Sequence, residues 1–304
     1  MRYAWSMRIA PLAALLFAAF AAATELALPP MSTGQPSPGK RVAVTPPEYA
    51  GTQVHHLIAL PDDWSRAAQT QGQRWPVIVE YTGNHHPASG SAGEVEGAAL
   101  GHGLGRGQAI WIVLPYVSGD HLRNEKTWWG DLEATVAYAK REVPRICADY
   151  GGDPRQVLLC GFSRGAIAVS FVGLHDDGIA RLWCGFWAHD HFDGARAWSG
   201  QAWSTPWMRY RQESAERLAR LAGRPLLVTQ GIPGTGTKEF LTPLLAPASW
   251  TCRDIDQVAV CGPFPNATAP DPHNDRWLLR DSPAGEEVRR WWRQALANAN
   301  KKPR

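Results

Sequence analysis

The chain predicts an α/β fold: a doubly wound, mostly parallel sheet with helices on both faces. Three observations point there. Short apolar runs alternate with helix-like segments and no unit repeats. One of these runs, Gln156 to Phe162, ends in Gly161-Phe162-Ser163-Arg164-Gly165 and passes at once into a helix-like stretch from Ala166, with no proline in either; it reads as a strand, a sharp turn with a serine at its apex, and a helix. The length of 304 residues suits one domain with a continuous core.

Taken in order, residues 1–23 read as a secretory leader: Arg2 and Arg8 at the start, an apolar run from Ile9 to Ala22, and small residues at Ala21 and Ala23 for cleavage. The run is too short and too alanine-rich for a comfortable membrane span, so a mature periplasmic or extracellular protein of about 280 residues is expected. Leu28 to Pro47 is proline-rich and reads as an extended arm, which places an arm at 24–48 and the domain at 49–300. Val54 to Leu60 is an early strand, and Trp75 to Tyr81 a strong central one that runs into Thr82-Gly83-Asn84-His85-His86. Ala109 to Tyr116 is the next strand. A long helix follows over about Thr127 to Tyr150, and Asp131 in its first turn reads as a cap rather than a catalyst. Gly151-Gly152-Asp153-Pro154 breaks the chain before the Gln156–Phe162 strand, and Ala166 to Leu182 continues it as a helix. Leu182 to Ala188 is a further strand ending in His189-Asp190-His191-Phe192-Asp193-Gly194. The stretch at about 194–211 carries Trp198, Trp203 and Trp207. Gln212 to Ala222 is helical, Arg224 to Gly231 and Ser249 to Val258 are strands, and Glu286 to Ala299 is the last helix.

Charge excludes some partners. Removal of Arg2 and Arg8 leaves 29 basic residues against 28 acidic, which provides no electrostatic case for nucleic acid or an anionic membrane. Of the five cysteines, Cys252 and Cys261 are the best candidates for a disulfide, while Cys160 and Cys184 fall in core-strand patterns and read as buried thiols. No spacing suggests a zinc site; His189-x-His191-x-Asp193 lacks a third histidine of suitable context, so neither metal nor cofactor is expected.

On Gly161-Phe162-Ser163-Arg164-Gly165 and its strand and helix, roughly residues 50 to 295 resemble the α/β-hydrolase superfamily, and more closely its secreted bacterial esterases and polyester depolymerases. The resemblance implies a serine, acid, histidine triad in that chain order. Ser163 is then the nucleophile, since a side chain at Gly161 or Gly165 would push strand and helix apart where they approach closest. A serine hydroxyl needs an imidazole to take its proton, and His273, in Pro270-Asp271-Pro272-His273-Asn274-Asp275, is the only histidine beyond His191. The acid is less determined. The strand ending at Gly231 offers no carboxylate before Glu239, whereas the preceding strand delivers Asp190 and Asp193. Asp193, before Gly194 in a turn, is the choice; Asp190 and Glu239 are the alternatives. The resemblance further implies an oxyanion hole from the backbone N–H of Arg164 and of the Thr82–Asn84 turn, where Gly83 lets substrate approach the chain. Trp198, Trp203 and His85 are candidates for lining the substrate pocket. The insertion is readable as a lid, or as rings that pin a long loop to the core. The expected substrate is a small or polymeric carboxylic ester. A peptidase of this fold, which usually carries another large domain, and a binding protein that keeps the turn as architecture are the competing readings.

Overall fold

The strands form because β-branched and aromatic residues recur in short runs between Gly, Pro and Asp breaks. A computed structural model describes residues 25–87, 91–198, 206–232, 234–255 and 271–301. Its strands are β1 (Met31–Ser32), β2 (Arg41–Val44), β3 (His56–Ala59), β4 (Trp75–Tyr81), β5 (His85–His86), β6 (Ser91–Ala92), β7 (Ile110–Leu114), β8 (Gly152–Phe162), β9 (Gly185–His189), β10 (Leu226–Gln230) and β11 (Trp250–Asp254). Its helices are α1 (Arg66–Thr70), α2 (Leu100–Gly105), α3 (Leu132–Tyr150), α4 (Arg164–Phe171), α5 (Asp177–Ala180), α6 (Trp207–Arg217), α7 (Thr237–Leu241) and α8 (Pro283–Lys301).

Among the described residues one sheet runs in the order β1-β2-β3-β7-β4-β8-β9-β10-β11, with β5 and β6 as a separate hairpin. From β7 to β11 every pairing is parallel, and β3 meets β2 and β7 antiparallel. The strand alternation sorts side chains by face. Val157 and Leu159 of β8 join the core under α3 and α4, while Leu158, Cys160 and Phe162 join the core under α2 and α8. Helices therefore cover both faces, as expected of a doubly wound sheet.

From β4 the chain crosses to β7 on one side and then returns to β8 on the other. The strand order reverses at this point, and it is outside the carboxyl ends of the strands at such a reversal that folds of this kind place ligands. Tyr81 pairs with Gly161, and Phe162 with His189, so the residues that follow β4, β8 and β9 emerge side by side.

Some boundaries differ from the sequence reading. The arm at 24–48 is partly sheet: β2 pairs with β3, and the Arg41 side chain donates to Pro29 O (2.7 Å) and Glu96 O (2.8 Å). The long helix starts at Leu132 rather than Thr127, because Asp131 accepts from Ala134 N (2.9 Å) as its cap. The helix expected over 166–182 is two, α4 and α5, because Asp176 restarts the chain by capping Gly178 and Ile179. Residues 1–23 lie outside the described residues, as do Trp203, Cys261 and the end of the strand drawn to Val258. Cys252 has no disulfide to another described cysteine, and Cys160 is buried in β8. No described helix is long and apolar enough to cross a membrane.

Candidate active site

Ser163 sits between β8 and α4 at φ 56°, ψ −115°, a region that residues with side chains seldom occupy. The glycines around it make the turn possible. A Cβ on Gly165 would be driven into the carbonyl oxygen of Tyr81, and one on Gly161 into the Gly165 backbone. The Ser163 N–H donates to His189 O (3.0 Å), which ties the turn to the end of β9.

Ser163 Oγ stands 2.9 Å from His273 Nε2, and His273 Nδ1 stands 2.9 Å from Asp190 Oδ2. Since a carboxylate only accepts, the proton is on Nδ1 and Nε2 is free to accept from the serine. Asp190 directly follows β9 at φ 77°, and this backbone turn folds its carboxylate over the sheet edge, where Oδ1 also accepts from Gly231 N. Burial alone would raise the Asp190 carboxyl. The neighbouring His189 and His273 and the Gly231 N–H outweigh it and hold it at about 2.

The acid is where the sequence choice is corrected. Asp193 is buried, but it has turned away from the sheet edge: it accepts from Tyr210 Oη and from Arg217 Nε (3.1 Å) and Nη2 (2.9 Å), both residues on α6. Four residues beyond the strand the chain already belongs to the packing of α6. Glu239 is exposed on α7. The alternative, Asp190, is the carboxylate that meets His273.

His189 had no assigned role in the sequence reading and proves to hold the histidine loop. Its Nε2–H donates to Asn274 O (3.0 Å), while Nδ1 accepts from the Thr229 hydroxyl (2.7 Å), which in turn accepts from Trp187 Nε1 (2.9 Å). Asn274 Oδ1 accepts from the N–H groups of Arg276 and Trp277 (both 3.0 Å), fixing the loop that carries His273. A buried histidine at the end of a strand gives no sign in the sequence of which loop it will reach.

Arg164 opens α4, so its backbone N–H belongs to the first turn, where a helix has no internal acceptor for it. The Thr82–Asn84 turn lies against the serine: a Cβ on Gly83 would stand 3.3 Å from Ser163 Cβ and 3.1 Å from Phe162 Cδ1. Trp198 is half-buried with its ring 4.1 Å from that of His191, which lies 4.9 Å from the His273 ring. Burial keeps His191 well below the usual imidazole range and hence neutral. His85 is exposed on the β5–β6 hairpin with Nδ1 3.2 Å from Ala92 O, and no described contact joins it to Ser163 or His273. No group of described side chains is arranged to hold a metal ion.

No family profile matches the chain, and no curated protein is similar to it in sequence. Solved structures are. The chain is similar to FphF, a fluorophosphonate-binding serine hydrolase of Staphylococcus aureus, at 10% identity and TM-score 0.52, over 86% of this chain and 99% of that one. It is similar to S-formylglutathione hydrolase FrmB of the same organism at 11% identity and TM-score 0.50, over 86% and 98%. A ferulic acid esterase aligns at 12% identity and TM-score 0.48, over 80% and 92%. With its parallel sheet, its serine turn after β8 and its likeness to FphF and FrmB, the chain has the α/β-hydrolase fold.

Proposed function

We propose that this protein is a serine hydrolase of carboxylic esters that works through an acyl-enzyme on Ser163. The observation that carries the reading is the continuous relay Ser163 Oγ, His273, Asp190 at 2.9 Å for each link, on a serine held at positive φ. In the forward step His273 Nε2 takes the hydroxyl proton as Oγ attacks the ester carbonyl, and the imidazolium then returns that proton to the leaving alcohol. Asp190 keeps the tautomer correct and faces the positive charge that develops on the ring. The backbone N–H groups of Arg164 and of the 82–84 turn are the donors for the tetrahedral oxyanion. Water, activated by the same imidazole, then releases the acid. The fold-mates FphF and FrmB, both described as hydrolases, make this chemistry the natural one for the fold. Secretion rests on the leader-like residues 1–23 alone.

The test is labelling and turnover together. The wild-type protein should be modified by a fluorophosphonate and should hydrolyse p-nitrophenyl esters, and Ser163→Ala should lose both while melting at an unchanged temperature, because removal of the nucleophile removes nearly the whole effect of a coupled triad. Undiminished turnover in Ser163→Ala would end the assignment.

A further inference from the structure

Arg164 is a cation buried directly beside the serine. Its side chain is 1% exposed, and among the described residues it forms no ion pair with a carboxylate. Burying such a charge is expensive unless its donors are used. Here both Nη groups are used, on backbone carbonyls and one hydroxyl, while the buried Nε–H meets no acceptor among the described residues. Nη2 donates to Gly83 O (3.0 Å), Gly93 O (3.3 Å) and Thr82 Oγ1 (3.5 Å), and Nη1 donates to Trp128 O (2.6 Å) and Glu125 O (3.3 Å). The guanidinium lies 3.9 Å from the centroid of the Tyr116 ring, a cation–π contact. Burial lowers the guanidinium only to about 10, so it stays charged at neutral pH.

Two of those acceptors, Gly83 O and Thr82 Oγ1, belong to the turn beside the nucleophile. Tyr116 Oη donates to Thr82 O (3.3 Å), Arg164 donates to Gly83 O, and Trp128 N donates to Asn84 Oδ1 (2.7 Å). In a trans peptide the C=O and N–H of one plane point in opposite directions, and the described chain has no cis bond. Anchoring Thr82 O therefore aims the Gly83 N–H away from Tyr116, and anchoring Gly83 O aims the Asn84 N–H away from the guanidinium.

We propose that the side chains of Arg164 and Tyr116 are positioning residues that hold the peptide planes of the Thr82–Asn84 turn so that its N–H groups face the oxyanion formed at Ser163. This rests on the serine hydrolase reading above. One residue then serves the oxyanion twice, through its own backbone N–H and through the side chain that orients the opposite donor. Lysine could not replace it, since an ammonium has three donors around a point and cannot bridge acceptors on separate loops as a planar fork does.

The experiment compares Arg164→Lys, Arg164→Met and Tyr116→Phe with wild type in the full chain. The readouts are kcat and KM on p-nitrophenyl butyrate, affinity for a trifluoromethyl ketone that forms an oxyanion on the serine, and melting temperature. Each variant should lose kcat, and ketone affinity in parallel, by about 100-fold for the Arg164 variants and at least tenfold for Tyr116→Phe, with KM within about threefold of wild type. A folded Arg164 variant with wild-type kcat and ketone affinity overturns the proposal. Should neither Arg164 variant fold, Tyr116→Phe decides: it keeps the ring under the guanidinium and removes only the hydroxyl, and wild-type values there also overturn it. Fluorophosphonate labelling of the wild type separates the two readings. With labelling present, unaffected variants sink only the positioning role; with labelling absent, the hydrolase reading falls and takes this one with it.

Discussion

Asp190 leaves β9 with a positive φ that folds its carboxylate onto Gly231 N and His273, whereas Asp193 is committed to Tyr210 and Arg217. Asp190→Asn should lower kcat by a factor on the order of 10⁴ with KM little changed, because the amide N–H can donate to Nδ1 and hold the imidazole in the wrong tautomer, protonated on Nε2. Asp193→Asn should leave turnover within a few-fold and instead lower stability by about 3 kcal/mol, since it strands the Arg217 charge in a buried pair. Steady-state kinetics and denaturant unfolding on the two variants distinguish them, and a crippled Asp193→Asn with an active Asp190→Asn would reverse the assignment. With its carboxyl held at about 2, Asp190 stays ionised throughout the working range; its stabilising contribution is present above the ordinary carboxylate range and is lost only as pH falls through about 2.

The β8–Ser163–α4 element depends on backbone proximity. The start of α4 lies so close to the end of β4 that Tyr81 O leaves no room for a methyl on Gly165, so Gly165→Ala should lower stability by about 1–3 kcal/mol and slow fluorophosphonate labelling of whatever folds. Gly119→Ala is the control: nothing stands within 4 Å of its Cβ position, and melting and labelling should be unchanged. Equal behaviour of the two variants would mean that the turn has slack the geometry denies. The same element shows why Asp131 and Ser163 differ although both precede helices. Asp131 is extended, with its side chain bonded to Ala134 N, while the Ser163 side chain makes no cap and is left to face His273.

Across the whole molecule, strand alternation puts Glu80 of β4 on the face covered by α2, fully buried and accepting from Leu100 N (3.3 Å), Gly101 N (2.8 Å) and Trp111 Nε1 (2.9 Å). Burial, with Asp275 nearby, pushes its carboxyl up to about 8 against the pull of those three donors. Between its ordinary 4.5 and about 8 the folded protein then holds a proton that the unfolded chain has released. Stability from this group is complete below 4.5 and is lost as pH rises toward 8. Urea unfolding at a series of pH values should show stability falling over that window, and Glu80→Gln should flatten the fall. An identical slope in the variant would mean that the three N–H donors keep Glu80 ionised.

What the sequence alone determined is what local pattern can carry. The strand-turn-helix around Ser163 is one contiguous stretch with its glycines in place, the alternation of apolar runs announces the parallel sheet, and His273 is isolated by being the last histidine in the chain. These signals survive because backbone sterics and side-chain period act over a few residues. The tertiary structure decided what depends on direction across the sheet. On sequence alone Asp193 is preferred to Asp190, and only the φ of 77° at the end of β9 and the arrival of α6 reverse the choice. The sheet pairing of Arg41–Val44 depended on a partner strand at His56–Ala59, and the hold of His189 on Asn274 spans 85 residues. The burial of Arg164 against Gly83 is of the same kind: the residue is read from its place beside the serine, but the target of its guanidinium exists only once β4 and β8 lie side by side, because a side chain's partners are set by chain crossings that no local window contains.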